Sequence, residues 1–383
     1  MNMVEYSEYR LGLLCKRFSS GKGISADLIN ETGKYPVIGG NGLRGYTDTY
    51  NFDGECAVIG RQGAYCGNVQ FFSGKGYMTE HAVVTQPNSA NNAKYLTYKL
   101  SGLSLGRFSG QAAQPGLSVT KLARLRIEMP PKWYQDRVSG ILSAYDNLIE
   151  VNNKRVKVLE LMAENLYKEW FVRFRFPGHE KADFENGIPK GWRRGRISEF
   201  YTTSSGGTPS RELDEYYVDG TIPWIKTGEL QDCLLIDTEE RITEVAVKKS
   251  SAKFFPKDSV LMAMYGVNIG MLAYSTMDAT CNQACCVFRD KGNISTKHYL
   301  FQCLKSIRDY LLLISFGAAQ QNLSQDLIKR VRIVMPDVET VIRFEQKIEP
   351  LYNEIKHLLK ANACLIRQRD LLLPRLMSGK LEV

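Results

Sequence analysis

Apolar positions recur along this chain with two different periods. Short runs of β-branched and aromatic residues, bounded by Gly, Asn, Asp and Pro, read as strands. They are Cys56–Gly60, Val69–Ser73, His81–Thr85 and Arg126–Pro130, and later Ser259–Met264, Met271–Thr276, Ala284–Phe288 and Arg332–Pro336. Lys94–Leu103 and Lys297–Ile314 carry the helical period instead. From Trp133 and again from Asp337 the pattern becomes helical without a break, with a 3–4 spacing sustained over more than four heptads. That spacing runs through Val138, Leu142, Tyr145, Ile149, Asn152, Val156, Leu159, Ala163, Leu166 and Trp170 in the first helix. In the second it runs through Phe344, Ile348, Leu351, Ile355, Leu358, Asn362, Leu365, Arg369, Leu372 and Leu376. Such seams predict coiled-coil packing rather than helices lying on a sheet. Pro177, Gly178, Gly187 and Pro189 interrupt any helix between Trp170 and Trp192, which marks a linker.

The chain is written twice. Of the 19 positions from Ala112 to Pro130, ten are identical to the residue 206 positions later: Ala112, Ala113, Gln114, Leu117, Ser118, Arg124, Arg126, Ile127, Met129 and Pro130. Upstream, the segment from Gly54 aligns with that from Lys257, placing Gly63 on Gly266 and Gly67 on Gly270. His81–Val84 lies against the run from Gln283, and Lys34–Gly42 has the character of Thr221–Glu229. Each copy therefore has one order of parts: a strand-rich, glycine-punctuated region, an arginine-bearing strand ending in Met-Pro, and a long helix. The expected fold is α+β, two tandem mixed α/β domains separated by two long helices packed as an antiparallel coiled coil. The divisions are 1–132 for the first domain, 133–171 for the central helix, 172–190 for the linker, 191–336 for the second domain and 337–383 for the C-terminal helix.

The seams predict a register. Each holds one Asn in a mostly apolar row, and a buried amide without a partner costs a few kcal/mol. Asn152 should therefore meet Asn362. Antiparallel, that register pairs Val138 with Leu376, Leu142 with Leu372, Val156 with Leu358 and Trp170 with Phe344, and sets the ring of Tyr145 against the Arg369 guanidinium. Parallel pairing would set Asn152 against Leu358.

Composition narrows the class. Hydrophobic residues make up 44% and charged residues 24% of 383, which suits a globular protein and excludes disorder. No apolar stretch reaches the roughly 20 residues of a membrane helix. Glu5 and Glu8 stand where a signal peptide needs an apolar core, so a cytoplasmic location is expected. Nine cysteines at irregular spacings, with no His near the Cys281, Cys285 and Cys286 cluster, read as buried thiols rather than a zinc site. The net charge of +9 is uneven. Residues 1–132 hold 15 basic and 9 acidic side chains and 172–336 hold 22 and 19, whereas the helical stretches are near balance. A positive excess on the globular parts suits an anionic partner such as nucleic acid.

Catalytic motifs are missing. The Pro-Pro at Pro130–Pro131 follows Met129, so it lacks the polar residue of a methyltransferase loop, and no P-loop is present. Pro336, Asp337, Glu345 and Lys347 spell a nuclease-like string, but Phe344 and Ile348 are seam positions, so Glu345 and Lys347 are expected to be solvated flanks. The Gly-rich turn at Ser205–Ser210 is read as a turn, not a phosphate loop.

Taken together, the duplicated domains and alternating long helices resemble the specificity subunit of Type I restriction-modification systems. The segment Asn41–Val84 is similar to one class of that family's target recognition domains. The runs GQAAQPGLS and GAAQQNLS resemble the family's junctions, and LYKEWFVRFRFPG and RDLLLPRLMSGKL its helix ends. The resemblance implies a subunit with no chemistry of its own. Its two domains would each read half of a split, asymmetric double-stranded DNA sequence. The helices would set the spacing and dock two modification (methyltransferase) subunits, which restriction (nuclease and translocase) subunits would join. S-adenosylmethionine, ATP and Mg are then expected on the partners and no cofactor on this chain.

Phosphate contacts position a protein on DNA, and base contacts read the sequence. Base-reading candidates in the first domain are Asn41, Arg44 and Tyr46 in one loop and Arg61, Gln62, Tyr65 and Asn68 in another, with Lys16, Arg17 and Lys22 for phosphates. The second domain offers Lys226, Thr227, Met264, Tyr265 and Asn268, with Ser204, Ser205 and Arg211 for the backbone. A helix of ~38 residues is roughly 57 Å long, enough to set two domains at major grooves ~34 Å apart. The rival readings are a stand-alone DNA-binding regulator and a scaffold with carbohydrate- or peptide-binding domains. Co-purification of a methyltransferase and the salt dependence of DNA binding discriminate between them.

Overall fold

The structure, a computed structural model, describes residues 4–110, 116–292, 294–315 and 322–381. The chain divides into two compact units, residues 1–150 with 364–383, and residues 151–363. Each unit thus takes one part of each long helix, which span Lys132–Tyr167 and Val338–Met377.

In the first unit a six-stranded sheet runs in the order Cys15–Ser20, Ala82–Pro87, Phe52–Gly60, Val69–Met78, Tyr35–Gly39 and Gly42–Thr47. All neighbours are antiparallel except Tyr35–Gly39, which pairs in parallel with the end of Val69–Met78, Val37 against Tyr77 and Ile38 against Met78. Cys56–Gly60 is buried residue after residue rather than alternately, as a central strand covered on both faces must be. Helix Ala93–Ser101 covers one face with Tyr95, Leu96 and Leu100, all fully buried. Its N-cap Asn92 accepts from Tyr95 N, and the long helix holds that cap: Gln135 Oε1 accepts from Asn92 N and Ser139 Oγ donates to Asn92 Oδ1. Val138, Leu142, Leu376 and Met377 join this core. Tyr134 donates its hydroxyl to Leu376 O at 3.0 Å.

The second unit repeats this plan with one break. Its strands Tyr201–Ser205, Cys285–Asp290, Val260–Ala263 and Leu272–Ser275 follow the same order, but the counterpart of the ten-residue strand Val69–Met78 is interrupted after Ser275. Its far end, Thr280–Cys281, pairs in parallel with Ile222–Ile225, as Tyr77 and Met78 pair with Val37 and Ile38. Cys233–Leu235 then occupies the other edge of Leu272–Ser275. In both units the strand closing the repeat pairs with the strand that opens it. Ser7–Arg10 lies against Arg126–Met129, and Arg193–Arg196 against Arg332–Met335. The expected Lys297–Ile314 helix is two helices, Lys297–Ser306 and Arg308–Ser315. The first long helix ends in a wide turn, Lys168–Val172, which buries both Trp170 and Phe171 against Phe344.

Glu345 is not the solvated flank expected from the seam. It accepts from the backbone N–H of His298 and Tyr299, satisfying the start of helix Lys297–Ser306, and from the buried His298 ring at 2.6 Å. The seam phase placed it correctly at the edge of the stripe, but a domain helix packs there too. Cys281, Cys285 and Cys286 are buried in or beside strands, and the neighbouring Cys281 together with burial pushes the Cys285 thiol up.

Candidate nucleic-acid interface

Four segments of the first unit converge at the loops where its strands turn. Lys22 N donates to Met78 O at 2.9 Å and Gly21 N to Ala82 O at 3.0 Å. Arg61 N donates to His81 O, and Thr79 N to Ile38 O, both at 2.9 Å. A Cβ on Gly21 would stand 2.1 Å from Met78 O, so the approach of these backbones requires glycine. Lys22, Asn41, Arg44, Gln62, Tyr65 and Asn68 are exposed around this convergence, whereas Lys16 is exposed at the opposite end of strand Cys15–Ser20, next to the residues paired with Gln86 and Pro87. Arg61 is half-buried, and its guanidinium reaches Ser20 Oγ at 3.5 Å. Two of the expected residues also make contacts within the fold. Arg17 lies 5.7 Å over the Phe52 ring and donates to Ser19 Oγ and Asn51 O. Tyr46 is held in a backbone bridge with Asn30.

The second unit repeats most of this frame. Arg61 N to His81 O becomes Met264 N to Ala284 O at 2.8 Å, and Thr79 N to Ile38 O becomes Asn282 N to Ile225 O at 3.0 Å. Leu117 N to Arg61 O becomes Leu323 N to Met264 O, and Gly67 N to Gly60 O becomes Gly270 N to Ala263 O, each within 0.1 Å of its counterpart. Gly206 repeats Gly21, with Cys281 O 1.8 Å from where its Cβ would be.

Several residues expected to contact DNA in the second unit make contacts within the fold. Met264 is 7% exposed. The Asn268 amide donates to the carbonyls of Thr227, Gly228 and Leu230, tying two loops together. Arg211 pairs with Glu240 at 2.7 Å and stacks over Tyr217 and Trp224. Lys226 is held by Glu239 and Glu240 at 2.9 and 2.8 Å, and Arg211 and Lys226 in turn hold the Glu240 carboxyl below its usual range. Ser204 and Ser205 are half-buried on a strand paired with Val287 and Cys286. Thr227 and Tyr265 are also half-buried.

Residues not singled out in the sequence stand at the convergence: Thr79, Glu80 and His81, and their counterparts Asn282, Gln283 and Ala284. The sequence comparison set His81 against the run from Gln283; the backbone bonds pair His81 with Ala284 and Glu80 with Gln283, one residue away.

On the long helices, Asn152 Nδ2 donates to Asn362 Oδ1 at 2.9 Å, and Asn362 Nδ2 to Asn153 Oδ1 at 2.8 Å. Arg155 pairs with Glu354 at 2.7 Å. Arg369 is not stacked on Tyr145. It pairs with Asp146, one residue on, at 2.7 Å, because a carboxylate within reach outcompetes a ring face. The junction residues Ala112–Gln114 and Ala318–Gln320 lie outside the described residues.

A family model described as "Type I restriction modification DNA specificity domain" matches residues 3–161 and again 189–361. The chain is 27% identical over 316 residues to the MjaIX specificity subunit of Methanocaldococcus jannaschii, covering 78% of this chain and 71% of that one. It is 38% identical over 166 residues to the EcoprrI specificity subunit of Escherichia coli, 42% of this chain and 41% of that one. Its fold is similar to the crystal structure of a Type I S subunit from M. genitalium, with a TM-score of 0.67, 15% identity and coverage of 98% and 97%. Two matched domains, each built on the same loop frame, place this chain in the Type I restriction-modification DNA specificity family, the specificity subunits that recognise DNA sequence.

Proposed function

We propose that this chain reads a split, asymmetric DNA target and delivers modification and restriction subunits to it. Residues 1–132 read one half-site and residues 191–336 the other, joined through the linker 172–190. The helices of 133–171 and 337–383 pack as an antiparallel coiled coil, hold the half-sites at a set spacing and dock two methyltransferase subunits. The chain performs no catalysis, and S-adenosylmethionine, ATP and Mg act on the partner subunits.

The observation carrying this reading is the loop frame repeated under different side chains, Gln62 against Tyr265 and Ala64 against Val267. One scaffold with two sets of loop residues suits two unlike half-sites. The antiparallel packing is supported because partners' numbers fall on one helix as they rise on the other. In the first unit these are Tyr134 with Leu376 and Asp146 with Arg369; in the second, Asn152 with Asn362, Arg155 with Glu354 and Trp170 with Phe344.

Mapping of methylated adenines across the source genome, with and without this gene, tests the reading. Loss of one split, asymmetric motif is the expected result. An unchanged methylome from an expressed locus overturns it.

A further inference from the structure

The geometry points to Glu80 and Gln283 as a matched pair of base-reading side chains, Glu80 selecting cytosine and Gln283 selecting adenine. This rests on the DNA-reading function proposed above and names residues within it.

Both side chains stand at the same corner of the duplicated frame. Ala82 N donates to Thr79 O at 3.0 Å, closing a four-residue turn with Glu80 as its second residue. Cys285 N donates to Asn282 O at 3.3 Å, closing the equivalent turn with Gln283 in the same place. The first turn is fixed from two sides by Thr79 N to Ile38 O and Arg61 N to His81 O, and the second by Asn282 N to Ile225 O and Met264 N to Ala284 O. The backbone at this corner is over-determined, so the side chain it carries is the variable part.

The chemistry of the two side chains differs in the way base edges differ. Glu80 is partly exposed within a basic loop cluster that includes Lys22, Arg44 and Arg61. Its Oε1 lies 3.1 Å from His81 Nε2, while its Oε2 is turned inward, buried and without a partner among the described residues. The neighbouring Thr79 is fully buried, and its Oγ1 is likewise without a partner. A carboxylate among cations facing a polyanion is repelled by phosphate, so it serves no positioning role there. An ionised carboxylate only accepts, and in the major groove the cytosine N4 amino group is the donor it suits. Gln283 is exposed. The Thr208 hydroxyl donates to its Oε1, which sets the amide's orientation and leaves its Nε2 hydrogens without a partner among the described residues. An amide held this way presents a donor beside an acceptor, the pattern that matches adenine N7 and N6.

Reciprocal exchange tests the assignment. The full chain, co-expressed with modification subunits from the source cell, is used to select from a randomised duplex pool as wild type, Glu80→Gln and Gln283→Glu. With Glu80→Gln one position of one half-site should move from cytosine towards adenine, with the original preference falling about tenfold or more. With Gln283→Glu one position of the other half-site should move the opposite way. Glu80→Ala and Gln283→Ala should relax the same two positions without a new preference, with thermal melting as the check on folding. An unchanged motif in the exchange variants overturns the assignment, as does an equal loss at every position. If wild type selects no motif at all, the DNA-reading function itself falls.

Discussion

Individual side chains in this protein divide into those that build the loop frame and those the frame displays. Arg17, Asn268 and Met264 belong to the first group, and Gln62, Tyr65, Asn41 and Lys22 to the second. Replacing Arg61 and Gln62 together with Ala should weaken binding to the specific target by about 1–3 kcal/mol for each lost bidentate contact. Binding to unrelated duplexes should barely change. Titrations showing equal loss on all sequences would reassign both residues to phosphate contacts. The asparagine pair is a second case. Asn362→Leu leaves the Asn152 amide buried without its acceptor, and chemical denaturation should show a loss of about 1–3 kcal/mol. Asn152→Leu with Asn362→Leu should recover most of that, since two apolar side chains replace two paired amides. If the single and double variants are equally stable, the amides are not coupled.

The long helices and the domain helices are held together by charged and polar braces as much as by the apolar seam. Helix Ala93–Ser101 is tied to the first long helix through Asn92 and by Tyr98, whose hydroxyl donates to Asp146. Its counterpart Lys297–Ser306 is tied through Glu345, and by Gln302, which donates to the Tyr352 hydroxyl. Glu164 adds a titratable brace. Hydrogen bonds from Lys168 and from Lys305 of the domain helix lower its carboxyl from 4.5 to about 2. A carboxyl depressed in the folded state contributes stability that is full above the unfolded value and is lost as pH falls towards the folded one. This brace should therefore weaken between pH 4.5 and about 2 and act undiminished at neutral pH. Glu164→Gln should lower the thermal midpoint at pH 7 and flatten its decline across that acid window. An unaltered acid profile would show that the pair contributes nothing measurable.

For the assembled protein, modularity is the main consequence of the duplication. Exchange of residues 1–131 with the equivalent region of a relative should alter one half of the methylated motif and leave the other intact. The exchanged region must keep Asn92 and Tyr98, because Gln135, Ser139 and Asp146 on the retained helix bond to them. A motif changed in both halves would contradict separate reading by two domains. DNA affinity should also fall steeply with salt, as counterion release requires of a basic domain that neutralises phosphates.

Much of this was legible in the chain itself. The repeat could be counted, and it carried the family, because a duplicated domain alternating with long helices leaves a periodic trace that local folding does not erase. The seam asparagines were legible for the same reason: helical phase is local, and Asn152 and Asn362 are bonded at 2.9 Å. What escaped was decided by residues far apart in sequence. Met264 is buried while its counterpart Arg61, held by the same two backbone bonds, is only half-buried, so the surroundings of the side chain decide and not the backbone. Arg211 and Lys226 look like free cations until Glu240 reaches both of them from another strand. Glu345 has the phase of a solvent flank and becomes a buried cap because a domain helix starts against it. The repeat set Gln283 against His81, and only the strands bracketing both turns, once in register, show that Glu80 is its counterpart. Periodicity settles which elements exist and which faces they bury, through contacts a few residues apart. Which loop side chains are used up inside the fold and which remain to meet DNA depends on partners tens of residues distant, and only the tertiary structure brings those together.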